Sequence, residues 1–257
     1  MKNILICCFF ILNTVVAQKS TQANELIDAI YKQLINNSGS MIDFEYLFEN
    51  EAHKMEEPIN GKLGLFSNNR FYLEFNPSNQ NKVIQIYNGD ALFTIIPAEK
   101  EIQIDNMDPT ESILIQEIFT NYKTNFNTSI KEDKTNQTII ELTPIKTYNE
   151  DVFNHCIDTL SLPTCLKLPN QCKIGITKKD NLALEMCIEE NYGYIENSIL
   201  KIKLIIDSNS LTLESITQLN RYNGKTSIQI QNIEKGNIEF LNISNPAYKD
   251  FEKIDLR

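Results

Sequence analysis

Residues 59–104 constrain this chain more than any other stretch. They read INGKLGLF, SNN, RFYLEF, NPSNQN, KVIQIY, NGD, ALFTII and then PAEKEIQI, a run of four short strands and three polar turns followed by one further alternating segment. Apolar side chains recur every second residue at Leu63/Leu65, Phe71/Leu73/Phe75, Ile84/Ile86 and Phe93/Ile95. A period of two puts each set on one face of its strand, and short polar turns pair consecutive strands antiparallel. The product is a meander, a curved sheet with a broad apolar face that the rest of the chain must cover or load.

A chain of 257 residues that is 42% hydrophobic can bury one sizeable core. The formal charge of −10 is spread along the chain, with no basic patch, so a nucleic-acid backbone is excluded as a partner class. The first eighteen residues read as an export signal. Lys2 supplies a short positive region, Ile4 to Leu12 an apolar core, and Ala17 a small residue for cleavage before Gln18. The apolar run is too short for a permanent anchor. Cys7 and Cys8 lie inside it rather than after it, which argues against a lipid-anchored N-terminus. Loss of a segment holding one Lys and no acid takes the charge from −10 to −11.

Ser20 to Asn37 is expected to form a helix, with Leu26, Ile30 and Leu34 on one face and Ile27, Tyr31 and Ile35 beside them. Met41 to Glu49 alternates as a half-buried strand with Ile42, Phe44, Tyr46 and Phe48 on one side. After the meander, Asp108-Pro109-Thr110-Glu111 is a helix start. The helix it opens carries Ile113, Leu114, Ile115, Ile118, Phe119 and Tyr122, a stripe suited to core packing or to a lid over a sheet. A hairpin follows, Phe126 to Lys131 and Thr138 to Thr143, and the sheet resumes later with Ile199 to Ile206, Leu211 to Leu219 and Thr226 to Ile233. The tally is nine to eleven strands and two helices.

Between these, residues 148–195 keep no steady period, apart from a short helix expected at Lys179 to Glu190. The segment holds all four cysteines beyond the signal, Cys156, Cys165, Cys172 and Cys187. In an exported protein an even number reads as two disulfides, in any of three connectivities. Gaps of eight, six and fourteen residues do not match a zinc ribbon or finger, and no metal or other cofactor is expected. The segment reads as a stapled insertion into a single domain spanning residues 19–257.

Chemistry-bearing motifs are missing. There is no G-x-S-x-G, no phosphate loop, no G-x-G-x-x-G and no H-E-x-x-H. His53 and His155 are the sole histidines and stand far apart, and Asp207-x-Asn209 with Glu214 lacks the glycine and register of a calcium loop. No catalytic residue is assigned, and the chain is expected not to be an enzyme.

Four features together resemble the periplasmic outer-membrane lipoprotein carrier (LolA) family, in particular its Bacteroidetes branch. They are the signal with its amphipathic helix and the strand Ile42 to Phe48; Gly61-Lys62-Leu63-Gly64-Leu65 followed by Arg70-Phe71-Tyr72-Leu73-Glu74-Phe75; Asn88-Gly89-Asp90-Ala91-Leu92-Phe93-Thr94-Ile95-Ile96-Pro97; and the ending Ile254 to Arg257. The resemblance implies a mainly β (α+β) fold, an unclosed antiparallel β-barrel or strongly curved sheet capped by helices. It also implies a monomeric periplasmic carrier of acylated lipoproteins, supplied by an inner-membrane lipoprotein-releasing ABC transporter and unloading at an outer-membrane acceptor. Two departures stand out. Ser67-Asn68 occupies the place of an Arg-Pro pair whose Arg is thought to latch the lid in proteobacterial members, and Phe93 and Ile95 replace a Trp and a Tyr.

On this reading the acyl cavity is expected to be lined by Leu63, Leu65, Phe71, Leu73, Phe75, Ile84, Ile86, Phe93 and Ile95, with Ile113, Leu114 and Ile118 from the lid. A one-residue slip would turn each strand's set to the other face. The rival reading is a barrel of the same kind that carries no lipoprotein and serves as an envelope interaction or sensing module, with the insertion as its working surface.

Overall fold

The structure is a computed structural model. It describes residues 20–36, 38–50, 57–76, 82–106, 114–134, 136–167, 176–195, 197–221 and 223–257. The export signal, His53, the Asp108 to Glu111 helix start, Ile113 and Cys172 lie outside the described residues. The fold divides into two compact units, one built from the chain up to Thr143 and from Ile199 onward, the other from Pro144–Ser198.

The larger unit opens with helix α1, residues 20–34. Its buried stripe is Ala23, Ile27, Ile30 and Leu34, with Leu26, Tyr31 and Ile35 packed alongside. The helix stops short of the expected end, where the chain turns on the Gly39 N–H to Asn36 carbonyl bond of 2.7 Å. Strand β1 (Ser40–Glu49) follows, then the meander β2 (Ile59–Leu65), β3 (Phe71–Phe75), β4 (Val83–Tyr87), β5 (Leu92–Ile96) and β6 (Glu101–Asp105). Each neighbour in the meander pairs antiparallel, and PAEKEIQI supplies its fifth strand. Helix α2 (Leu114–Asn125) leads into β7 (Phe126–Lys134) and β8 (Gln137–Pro144). After the insertion come β11 (Ile199–Asp207), β12 (Thr212–Asn220) and β13 (Lys225–Lys235). A bulge between Ile199 and Lys201 breaks the expected alternation, so Leu200 is exposed while Ile202, Leu204 and Ile206 are buried.

These strands form one sheet in the order β14-β6-β5-β4-β3-β2-β1-β13-β12-β11-β8-β7, where β14 is Glu252–Asp255. The order has two free ends, so the barrel is unclosed. Its curvature follows from packing. Eight neighbouring strands, β3 through β7 in that order, laid flat would span about 34 Å at the usual spacing. All eight nevertheless feed one apolar cluster with α1 and α2, each helix being only about 10 Å across. The sheet therefore curls round the helices.

Two features were not expected. The C-terminal segment runs through two short 3-10 turns, Ile238–Leu241 and Pro246–Tyr248, and then adds β14 parallel to β6. The described residues carry fourteen strands rather than nine to eleven, twelve in the main sheet and two in a small one. The undercount falls on strands too short to show a period.

The smaller unit holds that small sheet, β9 (Thr147–Tyr148) with β10 (Tyr194–Ile195), and two helices, α3 (Glu150–Thr159) and α4 (Lys178–Glu190). Helix α3 was missed, although Asn149 accepts from the N–H groups of Asp151 and Val152 as its N-cap and two acids fill its first turn. A bond from Cys156 to Cys187 joins the two helices through a core of Cys156, Ile157, Leu184 and Ile188. Cys165 is also disulfide-bonded.

Gly61 shows why a glycine stands in the β2 motif, because a Cβ there would run into the ring of Phe44 on β1. Gly61→Ala is expected to lower stability by about 1–3 kcal/mol, read as a shifted urea midpoint with unchanged slope. Cys156 and Cys187 lie 31 positions apart, so replacing both by Ser is expected to destabilise the insertion unit by about 3–4 kcal/mol. Hydrogen exchange in α3 and α4 should accelerate accordingly.

Candidate functional site

The meander register sorts the expected cavity residues into two groups. Leu63 faces Leu73 across β2 and β3, and Leu65 faces Phe71. On the next ladder Leu73 faces Gln85, while Tyr72 faces Ile86 and Glu74 faces Ile84. Ile84 and Ile86 in turn face Ile95 and Phe93. Residues directly opposite share a face, so Leu63, Leu65, Phe71, Leu73 and Phe75 lie on the helix side, and Ile84, Ile86, Phe93 and Ile95 lie on the reverse. Packing agrees with this division. The first four join the cluster of α1 and α2 with Phe75 against it, whereas the second four join Tyr72, Phe66, Met41, Ile102 and Leu241 under the C-terminal segment. The expected single lining is thus corrected to two linings back to back. The cause is legible in β3, where FYLEF is apolar on both sides and alternation does not choose between them.

On the helix side the apolar face is continuous and occupied. From α2, Ile118 and Phe119 are buried with Tyr122 against the sheet. Leu114 falls in the helix, and Ile113 lies outside the described residues. Phe119 stacks on Tyr31 of α1 with ring centroids 5.6 Å apart and planes 6° from parallel. Phe75 meets Phe44 and Tyr46 edge-on at 5.9 and 6.1 Å. At the C-terminal end of α1 lies a pocket of about 480 Å³ of mixed lining, in which Ile30, Leu34, Leu211, Leu213 and Ile233 stand with polar groups that include Gln33, Asn36, Glu234 and Lys235.

The two helices are also tied by polar groups that sequence reading missed. Tyr122 donates to Asp28 Oδ1 at 2.7 Å, with the Asn24 carbonyl oxygen 3.0 Å away, and Lys123 Nζ stands 2.6 Å from Asp28 Oδ2. Thr128 on β7 donates to Asn24 Oδ1 at 2.6 Å, which ties α1 to the sheet rather than to α2. Partial burial opposes ionisation of Asp28, but its bonds from Lys123 and Tyr122 outweigh that and hold the carboxyl below its ordinary range. Burial, reinforced by the Asp28 carboxylate, pushes the Tyr122 hydroxyl well above the usual tyrosine value. These partners lie more than ninety positions apart, so no local spacing announces them. Arg70, by contrast, is spent on its own turn. Its guanidinium donates to the Ser67 carbonyl at 3.0 Å and to Ser67 Oγ at 3.2 Å, across a turn in which Asn68 and Asn69 both have positive φ.

Among the described residues the reverse side holds one buried acid. Glu74 is 6% exposed, with Lys82 Nζ and Tyr72 Oη each 2.5 Å from a carboxylate oxygen. Burial first, and then this carboxylate, raise the Tyr72 hydroxyl far above its usual value. Phe240 packs on Tyr72 with centroids 5.0 Å apart, fastening the C-terminal segment over the pair.

The arrangement offers apolar surface and structural ion pairs. Among the described residues no group of three or more His, Cys, Asp or Glu is placed to hold a metal ion. Asp207 is a turn residue, accepting from the N–H groups of Asn209 and Ser210 at 2.8 Å each. No helix among the described residues is long and apolar enough to cross a membrane.

What these elements define is an unclosed, helix-filled half-barrel, the architecture that the resemblance to the LolA family implies. No family model and no curated protein matches the chain. Solved structures to which it is similar include an uncharacterized conserved protein from Thermus thermophilus, 8% identical over 91% of this chain and 99% of that one, with a TM-score of 0.49. They also include a LolA superfamily protein from Nitrosomonas europaea, 7% identical over 82% and 93% of the two chains with a TM-score of 0.36. LprF from Mycobacterium bovis is 9% identical over 84% and 94%, with a TM-score of 0.38.

The Asp28 contacts should make the helix pair acid-sensitive. A carboxyl held below its ordinary pKa of 3.8 stabilises the fold above that pH and stops doing so as the pH falls through the lower folded-state value. Asp28→Asn is expected to cost about 0.2–1 kcal/mol at pH 7, the range for an exposed pair, and the deficit should be smaller at pH 3, below the ordinary value. Urea titrations at the two pH values check this.

Proposed function

We propose that this chain is an exported envelope carrier that takes up the acyl chains of lipoproteins on the helix side of its sheet and performs no covalent step. In this reading it works as a monomer in the periplasm after signal cleavage. It receives cargo from an inner-membrane lipoprotein-releasing ABC transporter and gives it up at an outer-membrane acceptor. One observation carries the reading: a curved apolar face, built by eight strands, is covered by two helices that also meet through a half-exposed contact at Asp28.

The magnitudes suit exchange of one cover for another. Each methylene kept from water is worth about 0.8 kcal/mol, so a chain of about ten is worth roughly 8 kcal/mol. Against that stand the Tyr31–Phe119 stack, at about 0.5–1.5 kcal/mol, and the Asp28–Lys123 pair, at about 0.2–1 kcal/mol. The apolar contacts of Ile118, Phe119 and Tyr122 are replaced by acyl contacts rather than lost. A pocket of about 480 Å³ beside the core, within the usual range for ligand sites, gives a chain end a place to start. The assigned lining is Leu63, Leu65, Phe71, Leu73 and Phe75 with Ile118, and the reverse-side set Ile84, Ile86, Phe93 and Ile95 is left to hold the C-terminal segment.

Native mass spectrometry with a triacylated lipopeptide tests the proposal. A one-to-one adduct is expected for the parent protein. Leu73→Ser and Ile84→Ser remove buried apolar groups from opposite faces and should destabilise the fold to similar degrees, yet only Leu73→Ser should lose the adduct. No adduct from folded, disulfide-bonded parent protein would overturn the carrier and leave the interaction-module reading standing.

A further inference from the structure

The insertion unit has a face that its own fold does not use. Helix α4 turns Leu184 and Ile188 inward against Cys156 and Ile157, with Cys187 packed alongside. On its outer side Leu182 and Met186, one helical turn apart, are 58% and 52% exposed, and Tyr192, two residues past the helix, is 95% exposed. Single exposed apolar residues are ordinary. The backbone at Tyr192 is not.

Helix α4 ends with the Tyr192 N–H bonded to the Glu189 carbonyl at 3.1 Å and the Gly193 N–H bonded to the Ile188 carbonyl at 2.8 Å. This pair of bonds is a Schellman stop, whose left-handed position normally holds glycine or asparagine. Here that position is Tyr192, with φ of 51°, a conformation costing a bulky residue on the order of 1 kcal/mol or more. Gly193 cannot exchange roles with it, since a Cβ there would enter Val152 and Ile188. The fold would stop this helix at lower cost with Asn at 192. Instead it holds a strained phenol in water, and strain of this kind points to a function.

Charge identifies the occupant. Glu185, Glu189 and Glu190 are exposed along the same stretch of α4. Lys178 and Lys179 stand in its first turn, one turn from Leu182 and about 17 Å from the end of the helix that carries Met186 and leads to Tyr192. The surround of Met186 and Tyr192 is therefore acidic, which disfavours an anionic lipid surface and complements basic side chains. Tyr and Met are residues that interfaces favour, the one as a rigid anchor and the other as an adaptable contact. We propose that Leu182, Met186 and Tyr192, with the three glutamates, form a docking surface for a protein partner presenting an apolar segment flanked by Lys or Arg. The proposal stands apart from the carrier reading, because it needs no acyl ligand.

The test uses the full disulfide-bonded chain and a labelled amphipathic Leu/Lys helical peptide, with fluorescence anisotropy at low and high salt. Combining Leu182→Ser, Met186→Ser and Tyr192→Asn should weaken binding by about tenfold or more, and Glu185→Gln with Glu189→Gln and Glu190→Gln should flatten the salt dependence. Tyr192→Asn alone should weaken the peptide while leaving thermal stability equal or higher, which a purely structural role would reverse. A photo-crosslinking side chain at position 192 should label the peptide even if the combined variant fails to fold. The proposal is overturned if the parent does not bind the peptide or if the combined variant binds it equally well. It also fails if the substitutions instead abolish binding to phosphatidylglycerol vesicles or a self-association seen by sedimentation velocity.

Discussion

A sheet that is apolar on both sides must be covered on both sides, and the larger unit follows from that requirement. Four of the five residues in β3, Phe71 to Glu74, are buried, so neither face of the meander's centre can be left to water. Helices α1 and α2 cover one face by drawing eight strands round themselves. The C-terminal segment covers the other, resting Phe240 on Tyr72 and adding β14 along β6. Small residues appear where the layers press closest: Gly61 admits the ring of Phe44 on the helix side, and Gly64 admits Met41 and Phe66 on the reverse.

The two covers are fastened differently. The reverse-side cover joins the sheet by strand pairing and lies over a buried carboxylate held by Lys82 and Tyr72. Removing one partner of such a group leaves a buried charge uncompensated, a cost of about 3–5 kcal/mol. The helix-side cover is made by α1 and α2, which meet through Asp28, whose side chain is half in water. Greasy contacts can be exchanged for other greasy contacts at little net cost, whereas strand pairing and a buried charge cannot. On the carrier reading proposed above, the helix side rather than the reverse side takes the hydrocarbon guest.

The insertion illustrates a separate solution to a small core. Among the described residues its core is small, with Cys156, Ile157, Leu184 and Ile188 buried and side chains such as Val152, Phe153 and Leu160 only partly so. Cross-links reinforce it. A rigid, stapled unit can carry strain at its surface without unfolding, and Tyr192 sits where that strain is carried.

Much of this was readable in the residues themselves, because the periods involved are local. Alternation at Leu63 to Ile95 and at Ile202 to Ile206 placed strands, the helical stripe of Leu26, Ile30 and Leu34 with Ile27, Tyr31 and Ile35 placed α1, and the cysteine count marked the insertion. Helix α3 was readable too, from Asn149 and the spacing of Val152, Phe153, Cys156 and Ile157, although ten residues inside a segment with no steady period do not stand out. Other features depended on partners distant in the chain. Leu73 and Ile84 sit on opposite faces because β3 and β4 pair Leu73 with Gln85. Asp28 meets Tyr122 because the curl of the sheet brings α1 and α2 side by side. Local sequence determined which residues could be apolar neighbours along a strand or helix; tertiary structure alone decided which faces met, since that choice is made by the lowest-energy pairing of elements far apart in the chain.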